Sequence, residues 1–251
     1  MKTIINILKY IYRRPQHILI QILSRIYSKP LDISQLDNVL IIAPHPDDEV
    51  LGCTGLMDIL VKSRKSVSVL FLSEGEGIAK HSNYAKEEII EIRRKLALKA
   101  LSSLGINEDK VQFLSFPDGN FKAVSDNEIN KLQSIIQSGN FKTIFYPHHW
   151  DGSPDHNFAS EVVVDILKHT HDVNSYEYCV WLWHHMKMYK AFSLDYKNVY
   201  LLNIDTEIKA NAISIYTDAH DDEGFYYSGK LPLMFLKALR WSKELYFKSN
   251  I

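Results

Sequence analysis

Blocks of apolar and polar residues exchange along this chain with two alternating periods. "NVLIIAP" (38–44) is a short, continuous apolar run and reads as a buried strand. The block after it, "GCTGLMDILVKSRK", spaces its apolar residues as a helix does. The exchange then repeats. "SVSVLFLSEG" (66–75) reads as strand, "NYAKEEIIEIRRKLALKALSSLG" (83–105) as an amphipathic helix ending at Gly105, and "VQFLSFPDGN" as a strand closing on a Pro-Asp-Gly turn. "NEINKLQSIIQSG" and "DHNFASEVVVDILKHT" read as helices on either side of a fourth strand, "KTIFYPH" (142–148). "YEYCVWLW" and "NVYLLNI" read as further strands, and "TEIKANAISIY" and "LPLMFLKALRWSKELYF" as late helices. Such alternation predicts an α/β fold whose mostly parallel sheet carries helices on both faces.

The charge is unevenly distributed. The chain of 251 residues carries a net charge of −1, which argues against a nucleic-acid binder with a basic footprint. Six positives (Lys2, Lys9, Arg13, Arg14, Arg25, Lys29) precede the first acid, Asp32. The same stretch holds two apolar runs, "IINILKYIY" and "HILIQILSRIY", split by "RRPQ". A signal peptide needs a longer apolar core and a small-residue cleavage site. A membrane-spanning helix needs about 20 mostly apolar residues, which Arg13, Arg14 and Pro15 forbid. Residues 1–36 therefore read as a basic amphipathic segment ahead of a single domain over 37–251. Two roles stay open for it: peripheral attachment to an anionic membrane surface through residues 1–30, or a helix packed across the domain or a partner chain. Cys53 and Cys179 form no C-x-x-C pair, and a cytoplasmic, reducing setting fits them, with peripheral attachment on the inner face of the membrane as the variant of that expectation. Cys53 reads as a small core residue.

The chemistry sits at strand ends. "HPDDE" (45–49) packs four ionisable side chains just past the first strand, and "HHWDGSPDH" (148–156) follows the fourth. In parallel α/β sheets ligands bind beyond the carboxyl ends of the strands, so both clusters face one crevice. Two adjacent carboxylates repel unless a cation lies between them, and catalytic zinc takes three ligands from His, Asp or Glu and leaves a position open. His45, Asp48 and His156 are the expected ligands. Asp47 is then the spare carboxylate that takes a proton from the attacking water. Read singly, Asp47 and Asp48 could simply cap a helix and His45 could be a turn residue; the second cluster at a matching strand end weighs against that. The aromatic run "YEYCVWLWHHMKMY" reads either as a strand edge or as a sugar-stacking wall. "HDDEG" (220–224) reads as a solvated loop, and no nucleotide-binding fingerprint is present.

"PHPDDE" with "GCTGLM" resembles the signature of the PIG-L/LmbE-like N-acetylglucosaminyl deacetylases, and the resemblance extends over most of residues 38–220. It implies a Rossmann-like three-layer sandwich and a Zn2+ held by His45, Asp48 and His156, with Asp47 as the general base. The implied reaction removes the acetyl group from an N-acetylated amino sugar of the N-acetylglucosamine type, lipid-linked or a polysaccharide precursor. "EIRRKLALKALSSLG" is similar to the family's arginine-bearing helix, which implies Arg93 as a substrate contact, although Leu96 stands where the family often carries a glutamate. The family's second cluster places a histidine at the position of Ser153, where it stabilises the oxyanion or protonates the amine. His148, His149, His184 and His185 are the candidates to replace it, and Asp155 is a candidate partner for a ligand. Two alternatives remain: a metal- or carbohydrate-binding descendant without turnover and, third, a metallophosphoesterase, for which ligands to a second metal are lacking.

Overall fold

The computed structural model describes residues 2–249 and 251, and the side chains of all these except 2–13, Trp183, Met188 and Met234. Its elements follow in the order α1 (Lys2–Tyr27), β1 (Lys29–Pro30), β2 (Val39–Ala43), α2 (Asp48–Lys62), β3 (Val67–Phe71), α3 (Lys86–Ser103), β4 (Val111–Phe113) and α4 (Asp126–Ser138). They continue with β5 (Thr143–Pro147), α5 (Pro154–Leu167), β6 (Asn174–Tyr178), α6 (Leu182–His185), β7 (Val199–Asn203), α7 (Thr206–Thr217), α8 (Leu233–Leu239) and β8 (Lys243–Lys248). The eight strands form one sheet in the order β1-β7-β8-β6-β5-β2-β3-β4. All pairings are parallel except those of β8 with β6 and β7.

The sheet is a central layer because its strands are apolar on both faces. Along β2, Val39, Ile41 and Ala43 enter one core and Leu40 and Ile42 the other, as the two-residue period of a strand requires. The first core is closed by α1, α2, α3, α7 and α8, through residues such as Ile20, Leu56, Ala97, Tyr216 and Phe235. The second is closed by α4 and α5, through Leu132, Ile136, Ala159 and Val163. Each such leucine, isoleucine, valine or phenylalanine contributes about 1.5–3 kcal/mol of burial. Close approach of α2 to the sheet depends on Gly52, where an added Cβ would lie 2.3 Å from the Tyr178 ring.

The alternation of strand and helix was legible; the end of the chain departs from it. "LPLMFLKALRWSKELYF" is not one helix: α8 stops at Leu239 and Lys243–Lys248 forms the antiparallel strand β8. Leu245, Tyr246 and Phe247 are all buried, so this segment shows the continuous run of a strand covered on both faces, which periodicity alone does not separate from buried helix. "YEYCVWLW" likewise breaks after Tyr178 and turns into α6.

The N-terminal segment lies on the domain. Gln16, His17, Ile20 and Ser24 of α1 are buried, α1 packs against α6, α8 and β7, and β1 pairs with β7 at the sheet edge. The run "IINILKYIY" lies among the side chains outside the description. Among the described residues no helix is long and apolar enough to cross a membrane.

Candidate metal centre

The end of β2 and the start of α2 place His45 to Glu49 at the rim of the sheet, and the segment after β5 brings Asp151 to His156 beside them. Pro154 opens α5, a position where proline is favoured, and places His156 in the first turn of the helix. His45 Nδ1 lies 3.1 Å from Asp48 Oδ2, and His156 Nε2 lies 3.1 Å from the same oxygen. The two imidazole centroids are 5.5 Å apart. One donor atom from each of His45, Asp48 and His156 falls within 4.8 Å of the other two.

The other nitrogen of each ring faces a carboxylate. His156 Nδ1 is 2.7 Å from Asp151 Oδ2, and buried Asp151 in turn accepts the backbone N–H groups of Val180, Trp181 and Leu182. His45 Nε2 lies 3.3 Å from Asp155 Oδ2 and 3.2 Å from Asp118 Oδ1. Asp155 accepts from the N–H of Gly119 and of Phe121. A carboxylate behind each imidazole keeps the proton on the far nitrogen and leaves the near one as a bare donor, which is how metal-ligating histidines are normally held. His156 Nε2 is correspondingly a buried polar atom without a hydrogen-bond partner. The donor set, two imidazoles and one carboxylate, suits a divalent cation of the zinc type.

The close packing of these acids and imidazoles couples their charges strongly. Burial alone would raise Asp48, but the opposing charges of His156 and His45 outweigh it and hold the carboxyl well below its usual range. Burial pulls His156 down, yet Asp48 and Asp151 push it up to about 9. His45 is likewise raised, its burial outweighed by hydrogen bonds to Asp118, Asp155 and Asp48. In Asp47 burial wins: the carboxyl is pushed up to about 7, against the opposing charge of Arg93 and with help from Asp48.

Asp47 also carries backbone strain, with φ at 134° and ψ at −27°, a region that costs a residue with a side chain about 1–3 kcal/mol. Its surroundings impose it. The Asp47 N–H donates to Glu49 Oε2 at 2.9 Å, Tyr216 Oη donates to the other oxygen of Glu49 at 2.6 Å, and the Arg93 guanidinium donates to the Pro46 carbonyl and toward Asp47 Oδ2.

A cavity of about 580 Å3 opens over this cluster and is bordered by His45, Asp47, Asp48, Asp155 and Ser153. Arg93 reaches it as well, so the same guanidinium that braces Pro46 and Asp47 borders the space above them. Of the four histidines weighed for the position of Ser153, His185 borders the cavity and His148, His149 and His184 do not. His185 sits over Gly152, where an added Cβ would come within 2.5 Å of its own Cβ. His148 stacks on His149 beside Glu177 in a neighbouring depression, and the ring of His184 lies against Trp181 and Phe235. The group His148, His149 and Glu177 resembles a ligand set by spacing. It differs from the His45 cluster in that His148 Nδ1 accepts the Trp150 N–H, so that in the neutral ring Nε2 carries the proton and faces Glu177. Trp181, from the aromatic run, borders the cavity. Cys53 is fully buried in the first core, and Leu96 packs against it.

Sequence reasoning missed Asp151, Asp118 and Glu49 as supports. Asp118 of "FPDGN" carries no local sign of its role, since it acts on His45 from another segment, and Asp151, five residues before His156 in the same cluster, is held in place by backbone N–H groups from residues 180 to 182. Glu49 was visible in "HPDDE" but had no assigned partner there.

Residues 40–167 match the family described as PIG-L, GlcNAc-PI de-N-acetylase. The chain is 31% identical over 137 residues to the probable N-acetyl-α-D-glucosaminyl L-malate deacetylase 2 of Bacillus cereus, an alignment spanning 51% of this chain and 59% of that protein. Among solved structures, N,N′-diacetylchitobiose deacetylase of Pyrococcus horikoshii, in complex with its inhibitor MPG, shares the fold with a TM-score of 0.61 at 20% identity, over 76% of this chain and 73% of that one. GalB, the 4-carboxy-2-hydroxymuconate hydratase of Pseudomonas putida, shares it with a TM-score of 0.56 at 16% identity, over 77% of this chain and 83% of its own. A hydratase among the neighbours shows that the fold alone does not fix the reaction.

Proposed function

The chain belongs to the PIG-L family, and from that membership we propose that it is a zinc-dependent hydrolase removing the acetyl group from an N-acetylated amino sugar. The observation that carries the proposal is the meeting of His45, Asp48 and His156, with each imidazole backed by a carboxylate and one further carboxylate, Asp47, left over.

In this reading His45 through Nδ1, Asp48 through its carboxylate and His156 through Nε2 hold the metal. Bound there, a divalent cation supplies Lewis acidity toward the amide carbonyl and lowers the pKa of water. The chain's own residues do the rest. Asp155 and Asp151 fix the two rings by holding their far protons. Asp47, raised by burial and aimed by Glu49 and Arg93, accepts a proton from the water that adds to the carbonyl carbon. The amide C–N bond then breaks as the nitrogen is protonated, releasing acetate and the free amine. That proton comes from Asp47 or from His185, the imidazole at the cavity edge beside Ser153.

An N-acetylglucosamine-type sugar that is lipid-linked or part of a polysaccharide precursor is the substrate class of this reading, with the N-terminal segment resting on a membrane. The similarity to a glucosaminyl deacetylase supports the sugar. The test is elemental analysis of the purified chain followed by acetate release from a panel of N-acetylated amino sugars. One equivalent of zinc with turnover on at least one sugar is expected. Metal bound without acetate from any sugar would favour a binding protein instead.

A further inference from the structure

We infer that α1, the Met188–Ser193 turn and α8 form one docking face for an anionic lipid surface, and that this face brings the cavity mouth to the lipid headgroups. The inference deepens the proposed function, on which it rests for the identity of the reaction.

Exposed large apolar side chains concentrate on these three elements. From α1, Ile18, Ile22 and Ile26 recur every four residues along one outward stripe, with Tyr27 beside them. Tyr189 and Phe192 are 65% and 66% exposed, and Leu233 of α8 is 65% exposed. The opposite side of α1 is already used, since Gln16, His17, Ile20 and Ser24 are buried. The elements are neighbours, because α1 packs against both α8 and Met188–Ser193. Single exposed apolar residues need no explanation, whereas a clustered set on adjoining elements marks an interaction surface.

Charge selects the occupant. Exposed Arg14 and Arg25 flank the α1 stripe, Lys187 and Lys190 flank Tyr189, Lys230 and Arg240 border α8, and Lys237 lies within it. Residues 14–31, 178–194 and 224–243 contain no Asp or Glu, in a chain whose net charge is −1. A second copy of the chain would set these positive charges against their own kind. An anionic bilayer offers apolar depth and opposite charge together, the pairing that holds amphipathic helices at the interface.

The cavity opens beside this face. Trp181 and His185 around α6, and Ser228 and Leu231 just before α8, border it. Lys190 Nζ lies 5.5 Å from the centroid of the exposed Trp150 ring, which follows β5 on the way to Ser153. A sugar carried on a lipid would thus meet the site with its anchor still in the membrane.

The test is sedimentation of the full, metal-loaded chain with vesicles of phosphatidylcholine alone or mixed with phosphatidylglycerol. The chain should pellet with the anionic vesicles, less so as salt rises. The combined Ile18→Asp, Ile22→Asp and Ile26→Asp variant should stay in the supernatant with an unchanged circular dichroism spectrum. Lys187→Ala and Lys190→Ala should each weaken partitioning about fivefold. Wild-type chain that ignores anionic vesicles, or an aspartate variant that binds them equally, overturns the inference. So does a wild-type dimer that the aspartates split without vesicle binding in either form. Acetate release from a soluble N-acetylated sugar should be unchanged in all three variants; its absence in the wild type would sink the deacetylase reading alone and leave the lipid result standing.

Discussion

Asp151 Oδ2 lies 2.7 Å from His156 Nδ1 and shares its buried carboxylate with three backbone N–H groups from residues 180 to 182. The segment between β6 and α6 therefore fixes the orientation of an imidazole from α5. Replacing Asp151 by Asn swaps an acceptor for a donor in front of those amides and removes the charge behind the ring. Metal affinity should fall roughly 10–100-fold, as for other losses behind a ligating histidine. Competition with a chromophoric chelator measures it; affinity equal to wild type would free His156 from this support.

Removing the metal should destabilise the fold. A ligand bound to the native state alone contributes about 4 kcal/mol at a thousandfold excess over its dissociation constant. For a chain of this size that corresponds to a Tm lower by roughly 10 °C after chelation. Thermal unfolding before chelation, after it and after zinc return gives the answer, and full recovery with zinc is expected.

Asp47 holds its conformation against its own backbone preference, with φ at 134°. Glycine reaches such angles freely. Asp47→Gly should therefore gain about 1–3 kcal/mol of stability while losing turnover, and Asp47→Ala should gain none of that stability. Urea denaturation of both variants separates the two effects.

Lys209 Nζ lies 2.8 Å from Glu244 Oε1, both buried, and Glu244 also receives the N–H groups of Gly55 and Leu56. This joins α7, α2 and β8 away from the metal centre. Lys209→Met leaves a buried carboxylate without its cation and should cost about 3–5 kcal/mol. The denaturation midpoint should drop while acetate release per folded molecule stays constant.

The local parts of this structure could be read from the sequence, and the parts built by distant pairs could not. The meeting of His45, Asp48 and His156 was legible because their clusters follow the strands β2 and β5, and the parallel topology dictates that such ends share a crevice. Strand β8 was not, because a strand covered on both faces has no alternation to betray it. Asp118 was invisible as a support for the same reason that His185, rather than His148 or His184, could not be singled out at the cavity: each depends on how separate crossings meet, as does the anchoring of Asp151 by the amides of residues 180 to 182. The first thirty residues announced their basic, amphipathic character. Which side of the helix the domain would cover became visible only with the burial of His17, Ile20 and Ser24.

In the proposed reaction adjacent aspartates divide the labour, Asp48 holding the metal and Asp47 moving the proton. Its most direct test is acetate release by Asp47→Ala, assayed on whichever N-acetylated amino sugar the wild type hydrolyses, with zinc quantified in the same sample. One equivalent of zinc retained and a rate lower by about 10²–10⁴-fold is the predicted result. Zinc retained with undiminished acetate release would contradict it.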